Sequence, residues 1–167
     1  MKSSNHISKL ESKIYDLSTL KDRVERLHAS KKTVVFTNGC FDLIHKGHID
    51  YLNRAADLGD FLILGLNSDA SVQRLKGTHR PLQNQESRSY IMAALDCIDA
   101  VVIFDEDTPI ELITTLKPNV LVKGGDYTEA TVVGADLVKS YSGSVQLLPF
   151  LDGFSTSNIE KKIRGNS

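Results

Sequence analysis

The amino-acid sequence predicts an α/β fold, a doubly wound five-stranded parallel sheet in a three-layer sandwich. Five short apolar runs are separated by helix-like patterns. The runs are continuously apolar rather than alternating, which is typical of strands buried on both faces and therefore of a parallel sheet covered by helices. Polar, glycine-containing segments follow several of these runs, at the strand ends where ligands bind in such sheets.

The first segment, residues 7–27, predicts one or two amphipathic helices, because its apolar residues recur every three or four positions. These helices either pack on the flank of the domain or, for residues 7–17, form a dimer contact, and both interpretations stay open. We therefore separate an N-terminal helical segment, 1–30, from a domain at 31–167. We expect a homodimer or a higher homo-oligomer.

From Thr33 onward, strands and helices alternate. Right-handed crossovers between parallel strands then give the doubly wound sheet. The apolar runs predict strands at 33–37, 61–67, 100–104, 119–123 and 144–149. The patterns between and after them predict helices at 47–58, 85–96, 108–116, 129–140 and 156–164.

Length and composition fit one globular domain. The chain has 167 residues, of which 41% are hydrophobic and 25% charged. The net charge of −1 gives no reason to expect nucleic acid or an anionic membrane as a partner. No apolar run is long enough to span a bilayer, and the first residues lack the apolar stretch of a signal peptide. Cys40 and Cys97 have no metal-ligand spacing, so a cytoplasmic location is expected.

Residues 37–48 carry the strongest functional signal. They lead from a buried strand through a glycine-containing loop to a helix N-terminus, whose first N–H groups lack partners and attract anions. His45 and His48 straddle the helix start, so both rings can face one anion, and Gly47 leaves room for a phosphate. As imidazolium donors they could neutralise charge on a phosphoryl oxygen and on a leaving pyrophosphate. A single histidine is more often structural, but this pair indicates a phosphate-handling active site.

The same segment resembles a known signature. Residues 38–48, Asn-Gly-Cys-Phe-Asp-Leu-Ile-His-Lys-Gly-His, resemble the HxGH motif of the cytidylyltransferase-like nucleotidyltransferases, which have a Rossmann-like fold. Residues 153–159 match that family's Ser/Thr-rich turn before the last helix. Further matches resemble the adenylyltransferase half of the bifunctional heptose kinase/adenylyltransferases, over about residues 19–164 in all. They lie at 67–69, 74–77, 80–81, 88, 104–109 and 121–127.

This resemblance implies a reaction. AMP would pass from ATP to D-glycero-β-D-manno-heptose 1-phosphate, giving pyrophosphate and ADP-heptose, a precursor of the lipopolysaccharide inner core. Mg²⁺ would accompany ATP, and no residue is expected to form a separate metal site. The alcohol-phosphate cytidylyltransferases share both signatures and use CTP, so they remain an alternative. A catalytically silent nucleotide-binding subunit is the alternative from another class.

The resemblance also implies roles for individual residues, and elementary chemistry is consistent with them. Hydroxyl and N–H groups at a helix N-terminus can hold triphosphate oxygens, although an ordinary N-cap needs only one hydroxyl. Lys123 would join His45 and His48 in catalysis, because it ends a buried strand before two glycines. The expected nucleotide-binding residues are Asn38, Gly39, Phe41, Asp42, Gly47, Arg88, Ser155, Thr156 and Ser157. The expected substrate-binding residues are Lys76, Arg80, Gly125 and Asp126, although residues 74–80 could equally form a solvated basic loop.

Overall fold

A computed structural model describes residues 5–125, 128–163 and 165, and in this part of the chain it contains one parallel sheet of six strands. The spatial order is β1-β4-β3-β2-β5-β6, and every neighbouring pair is parallel. The predicted α/β fold is confirmed, with one strand more than expected. The strands are β1 (Ile14–Tyr15), β2 (Val34–Gly39), β3 (Phe61–Asn67), β4 (Ala100–Phe104), β5 (Val120–Gly124) and β6 (Ser144–Leu148).

The unpredicted strand is β1, at one edge of the sheet. Ile14 and Tyr15 pair with Val101 and Val102 of β4. Two residues are too few to show a strand pattern, and the helical spacing of residues 7–27 runs through them. The strand divides this segment into α1 (His6–Glu11) and α2 (Leu17–Ala29). Asp16 begins α2 by accepting a hydrogen bond from the Thr19 N–H at 2.8 Å.

The remaining helices differ from the prediction in two places. Helix α4 (Asp69–Lys76) follows β3 directly, so the first residues of the predicted basic loop at 74–80 are helical. The Ser68 hydroxyl caps the N-terminus of this helix by accepting a hydrogen bond from the Ser71 N–H. The predicted helix 129–140 is divided into a 3-10 turn, Glu129–Thr131, and α7, with Gly134 at φ +88° before α7. The helices are α3 (Lys46–Ala56), α4 (Asp69–Lys76), α5 (Gln85–Ala93), α6 (Ile110–Leu116), α7 (Ala135–Ser140) and α8 (Thr156–Ile163).

Helices cover both faces of the sheet, so the predicted three layers are present. Alternate residues of β2 point to opposite faces: Phe36 packs in a cluster with residues of α2, α6 and α7, and Val35 packs in a second cluster with residues of α3 and α5. Leu20 and Val24 of α2 are buried in the first cluster, so α2 packs on the same core as the strands that follow it. None of the described helices combines the length and apolarity needed to cross a bilayer.

The order of the sheet reverses at β2. The chain moves outward from β2 to β3 and β4 on one side, then returns to place β5 on the other side. Such a switch point leaves a crevice beyond the carboxyl ends of the two central strands. Val35 of β2 lies opposite Val120 of β5, which brings Gly39 and Lys123 to the same edge of the sheet. The candidate site lies there.

Candidate active site

The two histidines lie at the start of α3, at the mouth of this crevice. His45 is the N-cap residue of α3, and His48 lies in its first turn. Their rings stack with centroids 3.8 Å apart and an angle of 21° between planes. Phe41 supports the pair from the loop: its ring tilts against His48 at 5.2 Å, and its φ of +45° folds the ring over Gly39. The expectation that both rings lie together at the helix start is met.

The charge state of this pair differs from the sequence-based expectation. Burial lowers the pKa of His48 to about 4, with smaller contributions from His45 and Lys76, and burial also lowers the pKa of His45. In the ligand-free site both rings are therefore neutral at pH 7, not imidazolium ions. The Nδ1 atoms of both rings are buried and accept or donate no hydrogen bond within the described part of the chain. A bound anion would raise both pKa values.

Lys123 projects from the end of β5 on the other side of the crevice. Its Nζ donates to Asn38 Oδ1 at 2.6 Å, which joins the ends of the two central strands. Burial lowers the pKa of Lys123 to about 8, because the ammonium loses hydration there. An anion near Nζ would raise this pKa again.

Two glycines follow Lys123 and let an aromatic ring approach the backbone. A Cβ on Gly124 would lie 2.5 Å from the Phe150 ring and 2.8 Å from the Tyr51 ring. Gly125 has φ +103° and also lies under Phe150, 2.7 Å from where its Cβ would be. The conformation of this turn therefore requires glycine at both positions. Asp126, which was expected to bind substrate, lies outside the described residues.

The predicted hydroxyl turn reaches the histidines across the crevice. A Cβ on Gly47 would lie 3.2 Å from Phe154 Cβ, directly before the turn. The space over Gly47 thus receives Phe154 in this structure, where a phosphate was expected. The Ser155 hydroxyl accepts from the Asn158 N–H at 3.1 Å and acts as an N-cap. Thr156 lines the same cavity as His48, whereas no hydrogen bond of the Ser157 hydroxyl is described.

Asp42 and Arg80 both line the cavity and form an ion pair with each other. Asp42 is 5% exposed and accepts hydrogen bonds from Arg80 Nη1 at 2.6 Å and from the Leu82 and Gln83 N–H groups. Burial acts to raise the pKa of Asp42, but these hydrogen bonds outweigh it and hold the pKa below its usual value. Asp42 is thus an ionised cap of the loop at residues 80–83.

Arg88 lies beneath the site, fully buried in α5. Its guanidinium donates to the Cys40 carbonyl at 2.7 Å, the Gln83 carbonyl at 3.0 Å and Asp69 Oδ1 at 2.8 Å. The side chain is 0% exposed. These contacts fasten the histidine loop to α4 and to the loop before α5, and they place Arg88 away from the cavity wall where phosphate contact was expected. In contrast, Lys76 at the end of α4 lines the cavity near His48.

All these elements surround one cavity of about 460 Å³. Some of the residues that line this cavity were not predicted from the sequence. Tyr51 lies one helical turn after His48, a spacing that could have indicated it, and it donates to or accepts from the Thr37 hydroxyl at 2.6 Å. The others come from the end of β3, from α4 and from loops, and their positions depend on tertiary packing. They are Asn67, Leu75, Asp107, Thr108, Pro109, Thr131, Val133 and Phe150.

The residues present do not form a separate cage for a metal ion. Within the ranges 5–125, 128–163 and 165, no three His, Cys, Asp or Glu side chains are grouped as metal ligands. Asp42 offers no open carboxylate oxygen, because Arg80 and two backbone N–H groups engage both of them. A magnesium ion would therefore depend mainly on phosphate oxygens of a bound nucleotide, as this ion commonly does.

Comparisons with known proteins agree with the geometry. A model of the cytidylyltransferase-like family matches residues 36–162. Bifunctional protein HldE of Syntrophotalea carbinolica is 58% identical over 160 residues, which cover 96% of this chain and 33% of that protein. The corresponding protein of Geobacter metallireducens is 61% identical over 153 residues, covering 92% of this chain and 31% of that protein. The chain spans about a third of the length of the curated relatives it matches.

Solved structures show the same fold. The lipopolysaccharide core biosynthesis protein from Thermoplasma volcanium superimposes with a TM-score of 0.58 and 25% identity, over 72% of this chain and 97% of that one. Pantoate-beta-alanine ligase from Francisella tularensis, complexed with beta-gamma ATP and beta-alanine, also gives 0.58, at 16% identity over 90% of this chain and 76% of that one. The second likeness concerns the fold alone.

Proposed function

This chain belongs to the cytidylyltransferase-like family, and from that premise we propose that it transfers a nucleoside monophosphate from a nucleoside triphosphate to a sugar 1-phosphate. A phosphate oxygen of the sugar phosphate attacks the α-phosphorus in line. The new oxygen–phosphorus bond forms as the bond between the α-phosphorus and its bridging oxygen to the β-phosphorus breaks, and pyrophosphate leaves. No covalent enzyme intermediate is needed, so positioning and charge stabilisation provide the catalysis.

One observation carries this proposal. His48, Lys123 and Thr156 come from three separate elements and line a single cavity at the switch point of the sheet. The negatively charged oxygens of one triphosphate can interact with all three side chains at the same time. The helix N-termini of α3 and α8 both open toward it, and helix N-termini favour anions.

The roles of the side chains follow from their charge states. Lys123 places a cationic group near the triphosphate, with Asn38 orienting it at 2.6 Å. His48 and His45 donate hydrogen bonds as charge grows on the pyrophosphate, and their pKa values rise toward the imidazolium form as the anion binds. Thr156 and Ser157 offer hydroxyl and N–H groups at the start of α8. Mg²⁺ bound with the triphosphate would supply further charge neutralisation, held mainly by the phosphate oxygens.

We further propose ATP and D-glycero-β-D-manno-heptose 1-phosphate as the substrates and ADP-heptose as the product. The motifs at 67–69, 74–81 and 121–127, which resemble the heptose-specific enzymes, support this choice. So does the likeness to a solved protein named for lipopolysaccharide core biosynthesis. A cytoplasmic location and a homodimer or higher homo-oligomer, all expected from the sequence, stay predictions, and light scattering after gel filtration tests the oligomeric state.

The test is a turnover screen with the purified chain. Pyrophosphate release is measured with ATP, CTP, GTP and UTP against the heptose phosphate, hexose 1-phosphates and glycerol phosphate. We expect ATP with the heptose phosphate to give the highest kcat/KM. Preference for CTP with glycerol phosphate would replace the proposal by an alcohol-phosphate cytidylyltransferase. A His48→Ala variant in every assay separates turnover at this site from contaminating activity.

A further inference from the structure

Helix α8 lacks a buried face. None of the residues Thr156–Ile163 is buried, whereas α3 places Tyr51, Leu52 and Ala55 in the core. The turn that opens α8 nevertheless has to hold its hydroxyl groups opposite the histidines. Contacts other than a hydrophobic face must therefore fix the position of this turn.

The first such contact is a chain of two ion pairs. Arg80 Nη1 lies 2.6 Å from Asp42 Oδ2, and Arg80 Nη2 lies 2.7 Å from Glu160 Oε1. The side chains of Arg80 and Glu160 are 14% and 26% exposed, so solvent screens the pairs only in part. A planar guanidinium can donate to two carboxylates at once, which the single ammonium of a lysine does poorly.

The second contact lies at the other end of the turn. Phe154 packs against Gly47, and Lys46 Nζ lies 5.5 Å from the centroid of the Phe154 ring. Lys46 occupies the variable position of the HxGH motif, and its charge favours the face of the ring. The turn at 155–157 is thus bracketed by two contacts with the histidine loop, one on each side.

We propose that Arg80 is a positioning residue, whose guanidinium couples Asp42 in the histidine loop to Glu160 in α8 and so holds the hydroxyl turn over the histidines. We call this Asp42–Arg80–Glu160 arrangement the clasp. The inference rests on the proposed function, in which the turn binds the triphosphate. Arg80 lines the cavity, so its expected role in substrate binding stays a prediction. Its pairing with two carboxylates leaves a net negative cluster, which weakens its attraction for a phosphate.

Hydrogen exchange in the free protein tests the clasp without any nucleotide. Glu160→Gln keeps the size of the side chain and removes its charge. We expect amide exchange in residues 153–163 to become about tenfold faster, the factor that corresponds to losing one charge-assisted hydrogen bond at the lower end of its usual range. Exchange elsewhere is expected to be unchanged. Glu25→Gln, which removes the exposed Lys21–Glu25 pair on α2, is the matched control and should leave residues 153–163 unaffected.

Steady-state kinetics then distinguish positioning from simple stability. Glu160→Gln should raise KM for ATP about tenfold and leave kcat at saturating ATP within about twofold, because bound triphosphate itself orders the turn. A merely structural effect would lower Tm and kcat together. Arg80→Lys should give the same exchange pattern, and the double variant should add nothing further, since either change opens the same clasp.

Unchanged exchange at 153–163 in Glu160→Gln would overturn the proposal, as would additive effects of the two substitutions. A rise in KM for the sugar phosphate alone in Arg80→Lys would instead restore Arg80 as a substrate ligand. If the wild-type chain turned over no nucleoside triphosphate, the proposed function would fail, while the exchange measurement would still decide whether the clasp exists.

Discussion

Raising the pH through 8 should weaken nucleotide binding, because Lys123 then loses its proton. Burial lowers the pKa of this ammonium from 10.5 to about 8 in the free protein. The triphosphate stabilises the charged form, so the pKa in the complex is higher. Above pH 8 the apparent Kd should therefore rise by up to tenfold per pH unit, about 1.4 kcal/mol. A lysine with an ordinary pKa would leave Kd constant to beyond pH 9.

Calorimetry measures both the affinity and the proton that accompanies it. ATP is titrated into the protein between pH 7.5 and 9.5, a range in which the nucleotide itself stays fully ionised. Well above pH 8 most of the Lys123 side chains are deprotonated in the free protein, so binding should take up a large part of one proton there and little at pH 7.5. Comparing two buffers with different ionisation enthalpies gives this number directly.

Two variants assign the effect to the lysine. In Lys123→Arg the side chain keeps its charge at every pH in this range. The Kd of this variant for ATP should therefore not change with pH, even if its affinity differs from that of the wild type. Cys40→Ser excludes the neighbouring thiol, whose charge also influences Lys123. Two results would refute the reasoning: an affinity of the wild type for ATP that is independent of pH up to 9.5, or the same rise in Kd above pH 8 in Lys123→Arg.

Four other substitutions or conditions give clear expectations. His48→Ala should lower kcat by about 10²–10³-fold with an unchanged Tm, as removal of a donor to developing charge does; near-normal turnover would contradict the site. Arg88→Met should lower the free energy of unfolding by about 2–3 kcal/mol in urea titrations, because it leaves the partly exposed Asp69 carboxylate and two half-buried carbonyls without their donor; a loss below about 1 kcal/mol would be inconsistent with those contacts. Gly124→Ala should lower the free energy of unfolding by about 1–3 kcal/mol in urea titrations, since its Cβ would lie 2.5 Å from the Phe150 ring and 2.8 Å from the Tyr51 ring; a wild-type free energy of unfolding would contradict these contacts. Acid should destabilise the fold between pH 6.5 and about 4, because His48 stays neutral in the fold while the unfolded chain binds a proton; His48→Asn should lose that part of the pH dependence.

The sequence predicted the central strands and the family because both signals are local. β2, β3 and β4 are continuously apolar, and their bounds lie close to the predicted ones. The HxGH segment and the Ser/Thr turn are short motifs that need no knowledge of the fold, and the family they indicated is confirmed. Helix α4 was missed because its apolar side is confined to Val72 and Leu75, and the basic residues around it suggested a loop.

Pairing between distant residues could not be predicted in the same way. Arg80 lies 38 positions from Asp42 and far from Glu160, so nothing in the local pattern shows that both carboxylates reach its guanidinium. Arg88 likewise finds Cys40 and Asp69 only after the sheet brings three loops together. From sequence alone, a basic residue near a phosphate motif is interpreted as a phosphate ligand. Only the tertiary structure shows that such a residue pairs with an acidic side chain instead.

The cationic side chains around the site divide their tasks according to their chemistry. Arg80 and Arg88 each bridge groups on different segments, and a guanidinium keeps its proton at any working pH, so these contacts hold the geometry constant. Lys123 carries a compact ammonium whose charge is disfavoured by burial until an anion arrives. Above pH 8, protonating this group on binding therefore costs part of the free energy that its contact with the triphosphate provides. An arginine at position 123 would have a charge that does not respond to the ligand, and a lysine at position 80 would not span two carboxylates. The choice of cation at each position thus separates the groups that shape the cavity from the group that responds to what enters it.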